Sequence, residues 1–155
     1  MAVSPALARF LRQHRVVGTD TMVFIYHLQA HPRYVPAAQT ILDAWEGGPH
    51  QGITSVLSLA EVLVKPLRDG NKEAADDYRR LLATFPNLRL IDVSRGIGEL
   101  AARLRAAHGL PMPGMIQVAT ALTAGATGFI SNDAEFRRVK DLEILLLDDV
   151  VPARR

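Results

Sequence analysis

The spacing of apolar residues changes repeatedly along the chain, and this alternation predicts the fold class. Short apolar runs bounded by turn-forming residues predict strands at 15–19, 51–54, 88–93, 127–131 and 142–147. Helical spacing predicts helices at 6–13, 21–30, 36–46, 55–66, 72–84 and 95–108, another after the proline turn at 111–113, and a short one ending near 139. Strands that alternate with helices are typical of α/β domains. Because most of the runs are apolar throughout, we expect a mainly parallel sheet that is covered on both faces.

Length and composition then limit the organisation of the chain. A length of 155 residues predicts one domain. We place an N-terminal extension with a short helix at 1–14, the domain at 15–148 and a C-terminal tail at 149–155. The absence of cysteine excludes disulfides, thiolate nucleophiles and cysteine-ligated zinc, and it favours a cytoplasmic protein. No apolar run approaches the roughly 18 residues of a membrane span, so we expect no membrane partner.

Charge adds little by itself. The formal net charge is +2 at pH 7, and arginine dominates the basic residues, which suits phosphate contacts but also follows from GC-rich coding. Two small basic clusters follow candidate site residues. The first contains Lys65 and Arg68, and the second contains Arg137, Arg138 and Lys140. Either cluster is consistent with RNA contacts or with an ordinary solvated surface.

Three acidic residues occupy positions that favour a shared site. Asp20 and Asp133 each follow a predicted strand directly, and ligands of open α/β sheets bind beyond the carboxyl ends of strands. Glu61 lies in an otherwise apolar helix, where a carboxylate needs a cationic partner, a metal or a water-filled cleft. The alternatives are a helix cap for Asp20, an arginine ion pair for Glu61 and a turn for Asp133.

Several carboxylates gathered at one site repel one another and favour a hard dication. Mg²⁺ prefers oxygen ligands, and a bound ion activates water and neutralises phosphate during an in-line displacement. The three acids therefore predict phosphodiester hydrolysis if they converge.

Four segments of the chain resemble the motifs of the PIN domain, in the family's order and over about residues 15–148. They are 16–26 (VVGTDTMVFIY), 54–63 (TSVLSLAEVL), 113–121 (PGMIQVATA) and 130–136 (ISNDAEF). PIN domains of this size are typically the VapC toxins of toxin–antitoxin pairs. The resemblance implies a three-layer α/β/α sandwich and an endoribonuclease dependent on Mg²⁺ or Mn²⁺. It further implies an RNA substrate, a homodimer and a small antitoxin partner. Asp20, Glu61 and Asp133 match its catalytic, metal-binding acids.

The chain departs from this pattern where the family carries a third acid, because Gly114 occupies that position. Glycine is tolerated at a helix N-cap, so we expect the fold to survive the change even if the chemistry does not. Gln117, one turn further along, is a candidate neutral oxygen ligand, although a helix residue facing solvent or a neighbour is the simpler interpretation. Two functions remain open: a VapC-type endoribonuclease, or a degenerate PIN domain that binds RNA or a protein without cutting.

Overall fold

A five-stranded parallel sheet forms the centre of the computed structural model, which describes residues 4–152. The strands are β1 (Val16–Thr19), β2 (Gln51–Ser55), β3 (Leu88–Ile91), β4 (Gly128–Ser131) and β5 (Glu143–Leu146), in the spatial order β3-β2-β1-β4-β5. All four strand pairings are parallel. The chain builds outward from β1 in one direction and then returns beside β1 with β4. The carboxyl ends of β1 and β4 therefore flank the point where the strand order reverses, which is the usual ligand crevice of such sheets.

Seven α-helices connect and cover the strands of the described part of the chain. They are α1 (Pro5–Gln13), α2 (Met22–Leu28), α3 (Val35–Gly47), α4 (Val56–Arg68), α5 (Lys72–Thr84), α6 (Arg95–His108) and α7 (Met112–Thr123), with 3-10 turns at Ala134–Arg138 and Leu147–Asp149. Local sequence signals explain where several of these helices begin. Ser55, Asn71 and Ser94 cap α4, α5 and α6 by accepting from Leu57, Ala74 and Ile97 backbone N–H groups.

Two apolar cores, one on each face of the sheet, confirm the three-layer arrangement. Adjacent residues of β4 contribute to different cores, Ile130 to the core under α1–α3 and Phe129 to the core under α6 and α7. The close approach of α7 to β1 requires Gly18, because a Cβ there would collide with the Cβ of Ala121. α7 is thereby held against the middle of the sheet, directly behind the crevice.

The two ends of the described chain are more integrated than expected. α1 buries Leu7, Phe10 and Leu11 in the first core. At the other end Val150 is buried, and the Pro152 carbonyl accepts a hydrogen bond from Arg33. The tail expected at 149–155 is therefore packed as far as Pro152, and Ala153–Arg155 lie outside the described residues. No described helix has the length and apolarity needed to cross a bilayer.

Candidate functional site

Asp20 lies at the carboxyl end of β1, at the floor of the crevice. Its Oδ2 accepts a hydrogen bond from the Ser131 hydroxyl at 2.5 Å, and its Oδ1 accepts from the Met22 backbone N–H at 3.1 Å. The Ser131 hydroxyl in turn accepts from the Asp133 backbone N–H at 3.1 Å. Ser131 therefore fixes the ends of β1 and β4 relative to each other. Thr21 rather than Asp20 is the N-cap of α2, but the Asp20 side chain accepts a hydrogen bond from the first helical residue while it lines the cavity.

The pKa of Asp20 shows how unfavourable this position is for a lone negative charge. Burial raises its pKa from 3.8 to about 6, against the lowering effect of the Ser131 and Met22 hydrogen bonds. The carboxylates of Glu61 and Asp133 raise it further through repulsion. The three acids are therefore close enough to interact electrostatically. A cation bound among them would offset both the desolvation of the Asp20 carboxylate and the repulsion between the three carboxylates.

Glu61 lines the same cavity from α4, but its environment differs from the expectation. α4 is not apolar and buried on every side: Val64 and Leu67 are exposed, and so is Glu61. The sheet and α5 cover only part of the helix, so its remaining face meets solvent beside the cavity. Glu61 makes no ion pair with any basic side chain in the described residues, which excludes the arginine-pair alternative within that part of the chain.

Asp133 lies at the rim, beyond the end of β4. Its Oδ1 accepts a hydrogen bond from the Glu135 backbone N–H at 2.9 Å, so it caps the 3-10 turn Ala134–Arg138. This agrees with the turn that we gave as the alternative role of Asp133. It also lines the cavity, as does Glu135, a fourth carboxylate that the sequence reasoning missed. Both side chains are exposed. A capping aspartate at a strand end therefore does not exclude a site role.

Gly114 is the third residue of α7 rather than its N-cap, because the helix begins at Met112 with Pro111 preceding it. A Cβ at position 114 would lie 2.9 Å from Cζ and 3.3 Å from Cε1 of Phe136. The Phe136 ring packs against Phe129, with 5.2 Å between ring centroids, and is only 7% exposed. An aromatic ring therefore occupies the space next to Gly114 that a side chain would enter.

Gln117 is buried in a polar network and is not a free oxygen ligand. Its Oε1 accepts from the Ser55 backbone N–H at 3.0 Å, and its Nε2 donates to Ser58 Oγ at 3.0 Å. Ser58 Oγ also bonds to Thr54 Oγ1 at 2.6 Å and to Thr21 Oγ1 at 3.3 Å. Gln117 thus ties α7 to the start of α4, so it faces a neighbouring helix rather than solvent, and its engaged Oε1 gives the metal-ligand hypothesis no support.

These residues enclose one cavity of about 420 Å³ with a mixed lining. Its acidic members are Asp20, Glu61, Asp133 and Glu135, and its apolar wall comes from Met22, Leu110, Pro111, Pro113 and Phe136. No lysine or arginine is among the lining residues of the described chain. Tyr26 and Asn132 complete a polar edge. The sequence offered little signal for them, because one follows a helical pattern and the other a turn pattern.

The donor set fits a divalent cation in chemical type but is not preassembled. Carboxylate oxygens without basic partners are what Mg²⁺ or Mn²⁺ prefers. Within residues 4–152, however, no three acidic, histidine or cysteine side chains lie close enough together to hold a metal ion. Asp20 lies deep while Glu61 and Asp133 lie at the exposed rim. The structure therefore brings the acids to one cavity without placing three of them close enough to share a metal ion within the described residues.

The basic clusters lie outside this cavity. Arg137 pairs with Asp149, Arg138 donates to the His108 carbonyl, and Lys140 donates to the Arg137 carbonyl at 2.8 Å. In the first cluster Lys65 pairs with Asp69 at 3.4 Å. The charges near the 3-10 turn are thus largely engaged with protein groups.

The topology defines an α/β domain with a cavity at the carboxyl ends of its strands, and comparison of the sequence with protein families identifies the class. Residues 19–142 match the PIN domain, so the chain belongs to the PIN domain family, whose general property is nuclease activity. The family expected from the four motifs is confirmed. No curated protein matches the sequence.

Solved structures show the same fold at low sequence identity. A toxin–antitoxin complex from Klebsiella pneumoniae is similar with a TM-score of 0.66 and 22% identity, over 85% of this chain and 97% of that one. VapBC2 from Rickettsia felis, bound to a promoter DNA fragment, gives a TM-score of 0.67 and 17% identity, over 84% and 98%. FitAcB from Neisseria gonorrhoeae gives 0.63 and 16%, over 87% and 99%. The fold is therefore that of a VapC-type PIN domain.

Proposed function

We propose that this chain is an endoribonuclease that depends on Mg²⁺ or Mn²⁺ and hydrolyses RNA phosphodiester bonds, as its resemblance to VapC toxins implies. One observation carries the proposal. Asp20, Glu61 and Asp133 come from three separate segments, line one cavity, and have no lysine or arginine beside them in its described lining. Such an arrangement destabilises the empty protein, since the charges repel one another, and binding of a cation offsets that cost.

The three carboxylates are the groups that would hold the metal. A bound dication supplies an activated water and neutralises charge on the phosphate. Asp20, fixed by Ser131 and Met22, provides the rigid part of the site. Glu61 and Asp133 are exposed and have no ion pairs among the described residues, and Asp133 remains bonded through Oδ1 to the Glu135 backbone N–H.

A second function, binding of RNA or protein without cleavage, is favoured by the side of the cavity where Gly114 lies. The position carries no carboxylate, and the Phe136 ring occupies the adjacent space. Loss of one acid lowers the negative charge of the site and weakens its hold on a cation. In this second function the protein binds its ligand, but no phosphodiester bond is hydrolysed.

A cleavage assay separates the two functions. Purified protein is incubated with mixed RNAs and Mg²⁺ or Mn²⁺, beside Asp20→Asn and the control Asp43→Asn, whose carboxylate bonds Gln39 on the exposed surface. We expect cleavage by the parent and by Asp43→Asn, and none by Asp20→Asn or with EDTA. An inactive parent that still binds RNA would support the second function. Equal cleavage by Asp20→Asn would reject the proposed site.

Partners and location follow from the same resemblance. We propose a cytoplasmic homodimer that is held inactive by a small antitoxin, and the toxin–antitoxin complexes among the similar structures support the antitoxin partner. Co-expression with a neighbouring small reading frame, followed by size-exclusion chromatography, tests both points. A monomer that is toxic alone and unaffected by the neighbouring product would contradict them.

A further inference from the structure

Tyr26 lines the cavity beside the carboxylates, and the proposed metal site does not use it. The side chain comes from α2, six residues beyond Asp20, and is 9% exposed. Its hydroxyl oxygen lies 3.1 Å from Asn132 Nδ2, the amide of another lining residue. The direction of this hydrogen bond determines what the phenol can offer to a ligand.

The amide orientation of Asn132 is fixed by a backbone group. The Asp148 backbone N–H lies 3.0 Å from Asn132 Oδ1, and because a backbone N–H can only donate, the amide oxygen must face it. The NH₂ group of Asn132 therefore faces Tyr26, and it too can only donate. The phenol oxygen is the acceptor, so the Tyr26 proton remains to be donated elsewhere. No protein atom in residues 4–152 accepts that proton.

The Tyr26 ring is held rigidly in place. It stacks on Tyr34 with 4.3 Å between ring centroids and meets His31 edge-on at 5.2 Å. Tyr34 is itself anchored by a 2.5 Å hydrogen bond from its hydroxyl to Asp148 Oδ1. Burial raises the pKa of Tyr26, and the groups Tyr34, Asp148 and Asp20 raise it further, so the phenol keeps its proton at neutral pH.

Other polar side chains of the cavity already make hydrogen bonds within the protein. The Thr21 and Ser58 hydroxyls bond to each other, and the Gln117 and Asn132 amides each donate one of their two hydrogens, to Ser58 and to Tyr26. The described lining contains no lysine or arginine, so the Tyr26 hydroxyl, whose oxygen accepts from Asn132, offers its proton there as a neutral donor. A neutral donor next to carboxylates suits a phosphate oxygen, because it adds a hydrogen bond without neutralising the acids that a cation requires.

We propose that the Tyr26 hydroxyl donates a hydrogen bond to a phosphate oxygen of the nucleic-acid substrate. The inference rests on the proposed function, because it takes a phosphodiester as the ligand of the cavity. It assigns Tyr26 a direct contact with substrate, in addition to the metal-binding role of Asp20, Glu61 and Asp133.

The test compares Tyr26→Phe with Tyr34→Phe. Each variant removes one hydroxyl from the same aromatic stack, but only the first hydroxyl belongs to the cavity. Both are measured for cleavage of an RNA oligonucleotide with Mg²⁺ and for binding of an uncleavable 2′-O-methyl oligonucleotide. Because a hydrogen bond to a charged group is lost, we expect Tyr26→Phe to lower kcat/KM or oligonucleotide affinity about 10-fold or more. Tyr34→Phe should stay within about twofold of the parent, whatever stability it loses with its bond to Asp148.

The outcomes separate this inference from the proposed function. A parent that cleaves RNA while Tyr26→Phe matches it in cleavage and binding overturns the Tyr26 contact alone. A parent that does not cleave contradicts the proposed function, and the uncleavable oligonucleotide then decides the Tyr26 contact by itself: unchanged or undetectable binding overturns it. Equal losses in Tyr26→Phe and Tyr34→Phe would show that the hydroxyls only support the aromatic stack, which also overturns it.

Discussion

Two walls of the same cavity differ in how they are built. The wall at the ends of β1 and β4 is polar and hydrogen-bonded, with Ser131 joining Asp20 to the Asp133 backbone. The wall at the start of α7 is apolar, and the Phe136 ring lies where a side chain at Gly114 would extend. The first wall presents carboxylates to the cavity, whereas the second presents a glycine backed by an aromatic ring. The two walls therefore differ in charge and in the space that a new side chain would find.

The largest expected effect comes from removing the charge of the polar wall. We expect Asp20→Asn to lower RNA cleavage at least about 100-fold, because the rigid metal ligand is lost. Cleavage rates under saturating Mg²⁺ measure this, with Asp43→Asn as the control. If Asp20→Asn cleaved RNA at a rate within a few fold of the parent, the carboxylate of the polar wall would not be the metal ligand that the reaction needs.

The same substitution is expected to stabilise the metal-free protein at neutral pH. The folded pKa of Asp20, about 6, lies above its unfolded value of 3.8. The stability that this proton contributes is complete below 3.8 and is lost as pH rises through 6, up to about 3 kcal/mol. Asp20→Asn keeps its neutral group throughout, so its advantage should grow between pH 4 and 7.5. Urea denaturation with EDTA measures it, and a pH-independent difference would contradict the burial of Asp20.

The apolar wall is tested by restoring an acid. Gly114→Asp should destabilise the fold by about 1–3 kcal/mol, since its Cβ would meet Phe136 at 2.9 Å. Adding Phe136→Leu should recover part of that loss and improve Mn²⁺ binding over the parent. Gly98→Asp on α6 is a matched control, because nothing lies within 4 Å of its Cβ position. Calorimetric titration and thermal melts measure both effects, and a single Gly114→Asp variant as stable as the control would show that the ring yields easily.

Gln117 ties α7, which carries the apolar wall, to the start of α4, so its removal should have an intermediate effect. Gln117→Leu leaves the buried Ser55 N–H without an acceptor and should cost about 1–3 kcal/mol in the free energy of unfolding. Gln39→Leu, which removes an exposed amide bonded to Asp43, should change it by less than about 0.5 kcal/mol. Chemical denaturation measures both. Equal effects would mean that the Gln117 network is replaced by water.

The smallest effect is expected outside both walls. Arg137→Gln combined with Lys140→Gln should change stability by less than about 0.5 kcal/mol, because both side chains are exposed. Since their donors engage protein acceptors, we also expect the salt dependence of RNA binding to change little. Fluorescence anisotropy over a salt series measures it. A fall in slope of about 0.7 per residue would instead show phosphate contacts.

The sequence by itself determined the fold class, the element order and the candidate acids. Alternating apolar runs and helical spacing identified all five strands to within about two residues, because such patterns are local and repeat along the chain. The caps Asn71 and Ser94 were likewise readable from short-range chemistry. Four motifs in the family's order, three of which contain Asp20, Glu61 or Asp133, carried the family resemblance.

Only the tertiary structure decided what surrounds those residues. The exposure of Glu61 depends on how much of α4 the sheet and α5 cover, which no local pattern encodes. The contact between Gly114 and Phe136 and the bond between Gln117 and Ser55 join residues far apart in the chain. That the Tyr26 oxygen accepts a hydrogen bond likewise follows from Asn132 and Asp148, which lie far from it in the chain. Hydrogen-bond direction and side-chain volume act between residues that are neighbours in space, so only the tertiary structure shows what surrounds the candidate site residues. The fold class, in contrast, follows from the local spacing of apolar residues along the chain.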